Sequence, residues 1–137
     1  MERTLGIIKP DAFKKKLTGE IIKRYTEAGF NIIGMKLKHL SEKEAQGFYC
    51  VHKGKPFFDS LVEFMTSGPC VVVALEAEDV IKRNREIMGA TNPENAEPGT
   101  IRKDFADSIQ NNCVHGSDAP ETAAFEIGYF FSAIELV

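Results

Sequence analysis

The chain has 137 residues, 43% hydrophobic and 27% charged, and its 17 Lys and Arg against 20 Asp and Glu leave a formal net charge of −3. That composition predicts one soluble domain over residues 1–137, because a chain of this size buries roughly two-thirds of the surface its unfolded form exposes, and it argues against disorder. With no basic surplus, binding to nucleic acid or to an anionic membrane through released counterions is not expected.

At the start, Met1-Glu2-Arg3-Thr4-Leu5-Gly6 lacks the basic and apolar segments of a secretory signal, so the expectation is a cytoplasmic protein. Arg3 to Lys9 reads as a strand that ends at Pro10, with Leu5 and Ile7 on one face and Lys9 at its carboxyl end. Ile21, Ile22, Tyr25 and Ala28 recur at helical spacing, started by Thr18 or Gly19 and followed by Gly29. Ile33, Met35 and Leu37 alternate with Gly34, Lys36 and Lys38, the period of a half-buried strand with the first three inward. Ser41-Glu42-Lys43-Glu44 is a capping box, opening a helix with Ala45, Phe48 and Tyr49 on one face. Phe57, Phe58, Leu61, Val62 and Met65 form a second helical stripe.

The run from Cys70 to Leu75 is the longest apolar stretch, far short of the roughly 20 residues that span a bilayer, and reads as a strand buried on both faces. Val80, Ile81, Asn84, Ile87 and Met88 predict a helix ending at Gly89, and Ala90 to Gly99 then form a long loop of the kind that usually carries function. Asn111 to His115 is a short extended piece. Asp118, with Glu121 three residues later, predicts the cap of a last helix whose buried face is Ala123, Ile127 and Phe130, with Glu126 beside it. Cys50, Cys70 and Cys113, odd in number and widely spaced, predict three small, mostly buried thiols. The alternation implies an α+β sandwich with helices on one face of a small, mainly antiparallel sheet.

No GxxxxGK[ST] or GxGxxG element is present, so a phosphate site has to come from side chains. Lys9, Arg85, Thr91 and Arg102 are its candidates, against the ordinary reading of each as solvated surface. His115 lies between an Asn-rich turn and the Gly-Ser-Asp start of a helix, where negative charge is favoured, and an imidazole there can act as nucleophile or base. His39 and His52 have neither Ser nor Asp beside them and read as structural. Glu126, a carboxylate bordering an apolar face, needs a partner, and a histidine ring nitrogen is one. Phe57 either stacks on a base or joins the core, and Tyr49 either presents its hydroxyl to the site or completes a helix face.

Ile8-Lys9-Pro10-Asp11, the stretch from Thr91-Asn92-Pro93 to Arg102, and Asn112-Cys113-Val114-His115-Gly116-Ser117-Asp118 closely resemble the nucleoside diphosphate kinases, over nearly the whole chain. The resemblance implies a ferredoxin-like βαββαβ core, and a kinase that moves the terminal phosphate of ATP or another nucleoside triphosphate onto a nucleoside diphosphate with broad base tolerance. It implies that His115 is the phosphohistidine nucleophile, that Glu126 and Ser117 orient its ring, and that Lys9, Arg85, Thr91 and Arg102 hold phosphates. Asn112, with Lys9, matches the ribose contacts, Phe57 the base-stacking aromatic, and Tyr49 the tyrosine beside the histidine. Mg2+ is implied on the nucleotide phosphates, with Asp118 reaching it through water or only capping a helix. The implied partners are ATP, GTP, UTP, CTP and their deoxy and diphosphate forms, together with further copies of the chain in a tetramer or hexamer; the end at Val137 makes the tetramer at least as expected.

The chain departs from the family pattern at Lys14-Lys15-Lys16 and at Cys113, whose oxidation is expected to disturb the site. Two other readings compete. A hydrolase would use Ser117 as nucleophile and His115 as base, but lacks the GxSxG elbow; a regulatory nucleotide-binding module would have no need of His115.

Overall fold

The structure is a computed structural model that describes residues 1–137. Its sheet has four strands, β1 (Glu2–Ile8), β2 (Asn31–Lys38), β3 (Cys70–Ala77) and β4 (Val114–Gly116), in the spatial order β2-β3-β1-β4. Every neighbouring pair is antiparallel. The crossing from β1 to β2 skips the position of β3, and that from β3 to β4 skips β1. Two interleaved split βαβ units result, the ferredoxin-like arrangement expected.

Helices cover both faces of this sheet, which corrects the expectation of one. On one face Leu5 and Ile7 of β1 and Cys70, Val72 and Ala74 of β3 meet α3 (Glu42–Phe48), α4 (Phe58–Met65) and α7 (Pro120–Phe130). On the other, Ile8 of β1 and Val71, Val73 and Leu75 of β3 meet α1 (Pro10–Lys14), α2 (Thr18–Glu27), α5 (Val80–Met88) and α6 (Ile101–Phe105). The reason lies in β3. Alternate residues of an unbroken apolar run point to opposite faces, so both must be covered, and each fully buried Leu or Val is worth about 1.5–3 kcal/mol.

The inward face predicted for β2 holds only at Ile33. Met35 and Leu37 are 55% and 63% exposed, because the pairing with β3 shifts between Ile32 and Gly34 and reverses the alternation beyond it. Gly34 and Lys36 take the inward side instead. A Cβ on Gly34 would lie 3.0 Å from the Phe131 ring, and Lys36 Nζ donates to the Phe130 carbonyl at 2.8 Å, so the slip seats the chain end against β2.

Pro10 opens the short helix α1 rather than simply ending a strand, with Lys9 as its N-cap. The capping box at Ser41 forms as expected: Glu44 N–H donates to Ser41 Oγ at 3.1 Å, and Ser41 N–H to Glu44 Oε1 at 2.9 Å. At α7 the cap expected from Asp118 and Glu121 falls one residue later. Ala119 precedes Pro120 and is held extended, so the helix starts at Pro120, and Ala119 N–H donates to Thr122 Oγ1 at 3.1 Å. Asp118 serves only at one remove, its Oδ1 accepting from the same Thr122 hydroxyl at 2.9 Å.

Candidate active site

His115 is carried by β4, three residues held against β1 through the pairs Gly6 with Gly116, Ile7 with His115 and Ile8 with Val114. The strand is continued by a reciprocal clasp: Ser117 N–H donates to the Leu5 carbonyl and Leu5 N–H to Ser117 Oγ, both at 3.1 Å. Across the strand, α7 is fixed by buried Ala123, Ile127 and Phe130, which brings Glu126 to its sheet-facing flank. Glu126 Oε1 accepts from Ser117 Oγ at 2.7 Å and lies 2.8 Å from His115 Nε2. A carboxylate oxygen accepts, so Nε2 carries the proton and Nδ1 keeps its lone pair. The Phe48 ring stands 5.7 Å from the imidazole at 74°, bracing it from α3. Since Ser117 gives its proton to Glu126, no serine–histidine nucleophile pair forms.

The cations come from the ends of elements. Lys9 Nζ donates to Asn112 Oδ1 at 2.8 Å, and Asn112 Nδ2 to the Thr91 carbonyl at 3.3 Å. Burial, with the nearby Arg102 charge adding to it, lowers the Lys9 pKa to about 8. Arg102, at the start of α6, donates from Nη2 to Val114 O at 2.8 Å, from Nη1 to Gly89 O at 3.0 Å and from Nε to Asn112 O at 3.4 Å. Three of its five N–H groups thus hold backbone, and one on each terminal nitrogen remains for a ligand. Burial first, and Arg85 next, lower its pKa.

A cleft of about 740 Å³ brings His115, Lys9, Arg85, Thr91, Arg102 and Asn112 together, and Tyr49 and Asp118 line it as well. That volume suits a nucleotide-sized ligand. Ser117 and Glu126 sit behind His115 rather than in the wall. Phe57 also lies outside the lining, on the solvent side: it is 47% exposed and meets the cleft through His52, whose ring lies 5.2 Å away. Tyr49 is buried with its hydroxyl unpaired, and burial pushes its pKa up, which keeps the phenol a proton donor.

His52 corrects the structural reading. It lines the cleft, stacks on Tyr49 at 6.3 Å, and holds a buried Nδ1 without a partner. The signal was its place three residues after Tyr49, which on a helical turn puts both rings on one side. Asp11 was also missed: its Oδ2 accepts from Cys113 N–H at 3.1 Å and holds that residue at φ 72° just before β4. Cys113 itself is fully buried, with a thiol pushed up to about 12 by burial and by Asp11, so it offers almost no thiolate to an oxidant. Lys15 of the lysine run is tied to Asp107 at 2.7 Å and stays out of the cleft.

A model of the nucleoside diphosphate kinase family matches residues 2–136. The nucleoside diphosphate kinase of Desulforapulum autotrophicum is 63% identical over 137 residues, covering 100% of this chain and 99% of the relative, and that of Syntrophotalea carbinolica is 61% identical over the whole of both. Among solved structures, the Aquifex aeolicus nucleoside diphosphate kinase superposes with a TM-score of 0.97 at 47% identity, covering 99% of each chain. A halophilic nucleoside diphosphate kinase from Halobacterium salinarum, solved in complex with CDP, superposes at 0.95 with 40% identity, over 99% of this chain and 91% of that one.

Proposed function

The chain belongs to the nucleoside diphosphate kinase family, a family of phosphotransferases, and from that membership we propose which of its residues perform the transfer. His115 Nδ1 attacks the terminal phosphorus of a nucleoside triphosphate. The N–P bond forms as the bond from phosphorus to the bridging oxygen breaks, and that oxygen leaves with the electron pair as the nucleoside diphosphate. A second diphosphate then attacks the phosphohistidine with its terminal oxygen, the N–P bond returns its electrons to Nδ1, and a new triphosphate departs. Splitting the transfer lets one cleft serve donor and acceptor in turn, which gives ping-pong kinetics.

Glu126 holds the Nε2 proton and takes up the positive charge that the ring gains on phosphorylation, while Ser117 fixes that carboxylate. Lys9, Arg85, Thr91 and the free N–H groups of Arg102 face the phosphates and bind them, and Lys9 also stabilises charge on the equatorial oxygens of the moving group. Tyr49 supplies a hydroxyl beside His115. Asn112, with Lys9, contacts the ribose, and Phe57 stacks on the base by turning in from the cleft mouth. Stacking reads a π-face that every base has, so ATP, GTP, UTP, CTP and the deoxy forms are all accepted.

The divalent metal is magnesium, entering on the phosphates as part of the substrate. Asp118, Glu86 and Glu97 line the cleft as hard oxygen donors that suit magnesium through water, and no group of three or more ligating side chains forms a cage. The CDP complex of the halophilic relative supports a nucleotide in this cleft. The 137 residues work as one domain, in the cytoplasm, with no helix long and apolar enough to cross a membrane. Copies associate as a tetramer or hexamer, a reading supported by the exposed Met35 and Leu37 on edge strand β2.

The observation that carries this reading is Glu126 Oε1 against His115 Nε2, in a cleft that also holds Lys9, Arg85 and Arg102. Incubation with magnesium and γ-labelled ATP followed by alkaline denaturation tests it. The expected result is an alkali-stable label that UDP or GDP discharges and that His115→Ala lacks. Label that survives in His115→Ala would overturn the assignment.

A further inference from the structure

One wall of the cleft is a single stretch of chain. Gly89, Thr91, Asn95, Glu97, Thr100 and Arg102 all line it, yet between α5 and α6 that stretch holds only the 3₁₀ turn Pro93–Asn95. Near its start it is tied inward by Arg102 on Gly89 O and by Asn112 on Thr91 O. At its far end the ties come from a residue outside the cleft. Arg24, on crossover helix α2, donates from Nη1 to Gly99 O at 3.1 Å and from Nη2 to Asp104 Oδ2 at 2.9 Å. Asp104 Oδ1 in turn accepts from Gly99 N–H at 3.3 Å, closing a ring of Arg24, Gly99 and Asp104 around the turn that opens α6. The remaining sides of the guanidinium are filled by Glu20 Oε1, 3.2 Å from Nε, and by the Phe105 ring, 4.8 Å below Cζ.

We infer that Arg24 is a positioning residue for nucleotide binding, fixing the Gly99 turn and α6 so that Thr91 and Arg102 meet the phosphates. An isolated surface ion pair contributes little, but this guanidinium engages two carboxylates, a backbone carbonyl and a ring at once, using the planar fork that lysine lacks. Its helix is anchored on the sheet by Ile21 and Tyr25, both fully buried, so the scaffold's rigidity passes to the loop. Gly99 sits at φ +90°, a conformation open to glycine, which turns its carbonyl to Arg24 and its N–H to Asp104. His115 and Glu126 are held chiefly by other bonds, to β1 and α7, with the Arg102 bonds to the Asn112 and Val114 carbonyls as the link between the two sets, so loss of Arg24 falls first on nucleotide affinity.

The inference rests on the cleft being the nucleotide site, and steady-state exchange kinetics together with the phosphohistidine label separate the two. In Arg24→Ala, KM for both nucleotides is expected to rise about tenfold with kcat within about twofold of the parent, since a displaced binding group weakens the hold on ground and transition states alike without touching the nucleophile. Asp104→Asn, which keeps the side-chain volume, is expected to raise KM in the same direction by less. The double variant is expected to match Arg24→Ala rather than to sum the two, because both substitutions open the same ring. Unchanged KM in folded Arg24→Ala, or in Asp104→Asn should the alanine variant fail to fold, would overturn the inference, as would a loss confined to kcat. A parent chain that takes no label would instead sink the reading of the cleft.

Discussion

The two walls of the cleft are built in different ways. The wall bearing the nucleophile is made of backbone ladder: β4 pairs with β1, Ser117 clasps Leu5, and Glu126 arrives on a helix whose apolar face is buried. The wall bearing Thr91 and Arg102 is mostly irregular chain, held by guanidinium groups on carbonyls, Arg102 from within and Arg24 from outside. A ladder places an atom reproducibly whatever the ligand, which suits a nitrogen that must meet phosphorus in line. A side-chain clamp leaves the loop room to adjust, which suits the proposed binding of phosphates. Chemistry and binding are therefore separable by substitution.

The largest expected effect lies on the first wall. Glu126→Gln keeps the shape but removes the charge that accepts the Nε2 proton, and is expected to lower kcat by about 100-fold with KM little changed in steady-state assays. An equal rise in KM would blur the distinction between the walls. Next is the pH dependence of Lys9, where the walls meet. Its pKa is lowered to about 8 in the folded chain, so above pH 8 it loses the charge proposed to attract phosphate. kcat/KM is expected to fall by up to about tenfold per pH unit beyond 8 if that charge is essential, and Lys9→Arg is expected to move the fall to higher pH. Stability changes in the opposite sense. From about 8 to the ordinary lysine value of 10.5 the unfolded chain holds the proton and the folded chain does not, so this group's contribution to unfolding free energy grows with rising pH. The smallest effect on turnover is expected for Gly89→Ala. Gly89 sits at φ +86°, and a Cβ there would lie 2.5 Å from Thr100 Oγ1. The substitution is expected to cost about 1–3 kcal/mol in denaturant unfolding and to raise KM several-fold with kcat preserved.

Local signals were read where one element supplies the whole cause. The β-branched run of β3, the Ser41 box and the glycine at the end of α5 each carry their own reason, and the structure follows them. What the local pattern does not carry depends on partners that only the fold brings together. The alternation of β2 reverses because Phe131 and Leu136 need the space over Gly34, and nothing within residues 31–38 announces a contact a hundred residues away. His52 looked isolated because its neighbours in space, Tyr49 and Phe57, gain meaning only once the helical turn stacks them. Phe57, at 47% exposure, stands outside the wall of the cleft, a placement that its apolar neighbours in sequence do not announce. Arg24 carried no signal at all, since an i,i+4 partner in Glu20 is the ordinary reading of an exposed helical arginine.

The proposed transfer depends on Glu126 engaging one ring nitrogen so that the other attacks. Identification of the phosphorylated nitrogen tests it most directly, by phosphorus–nitrogen coupled NMR of the alkaline-denatured, ATP-treated chain. Phosphate is expected on His115 Nδ1; phosphate on Nε2, or on a residue other than His115, would overturn that dependence.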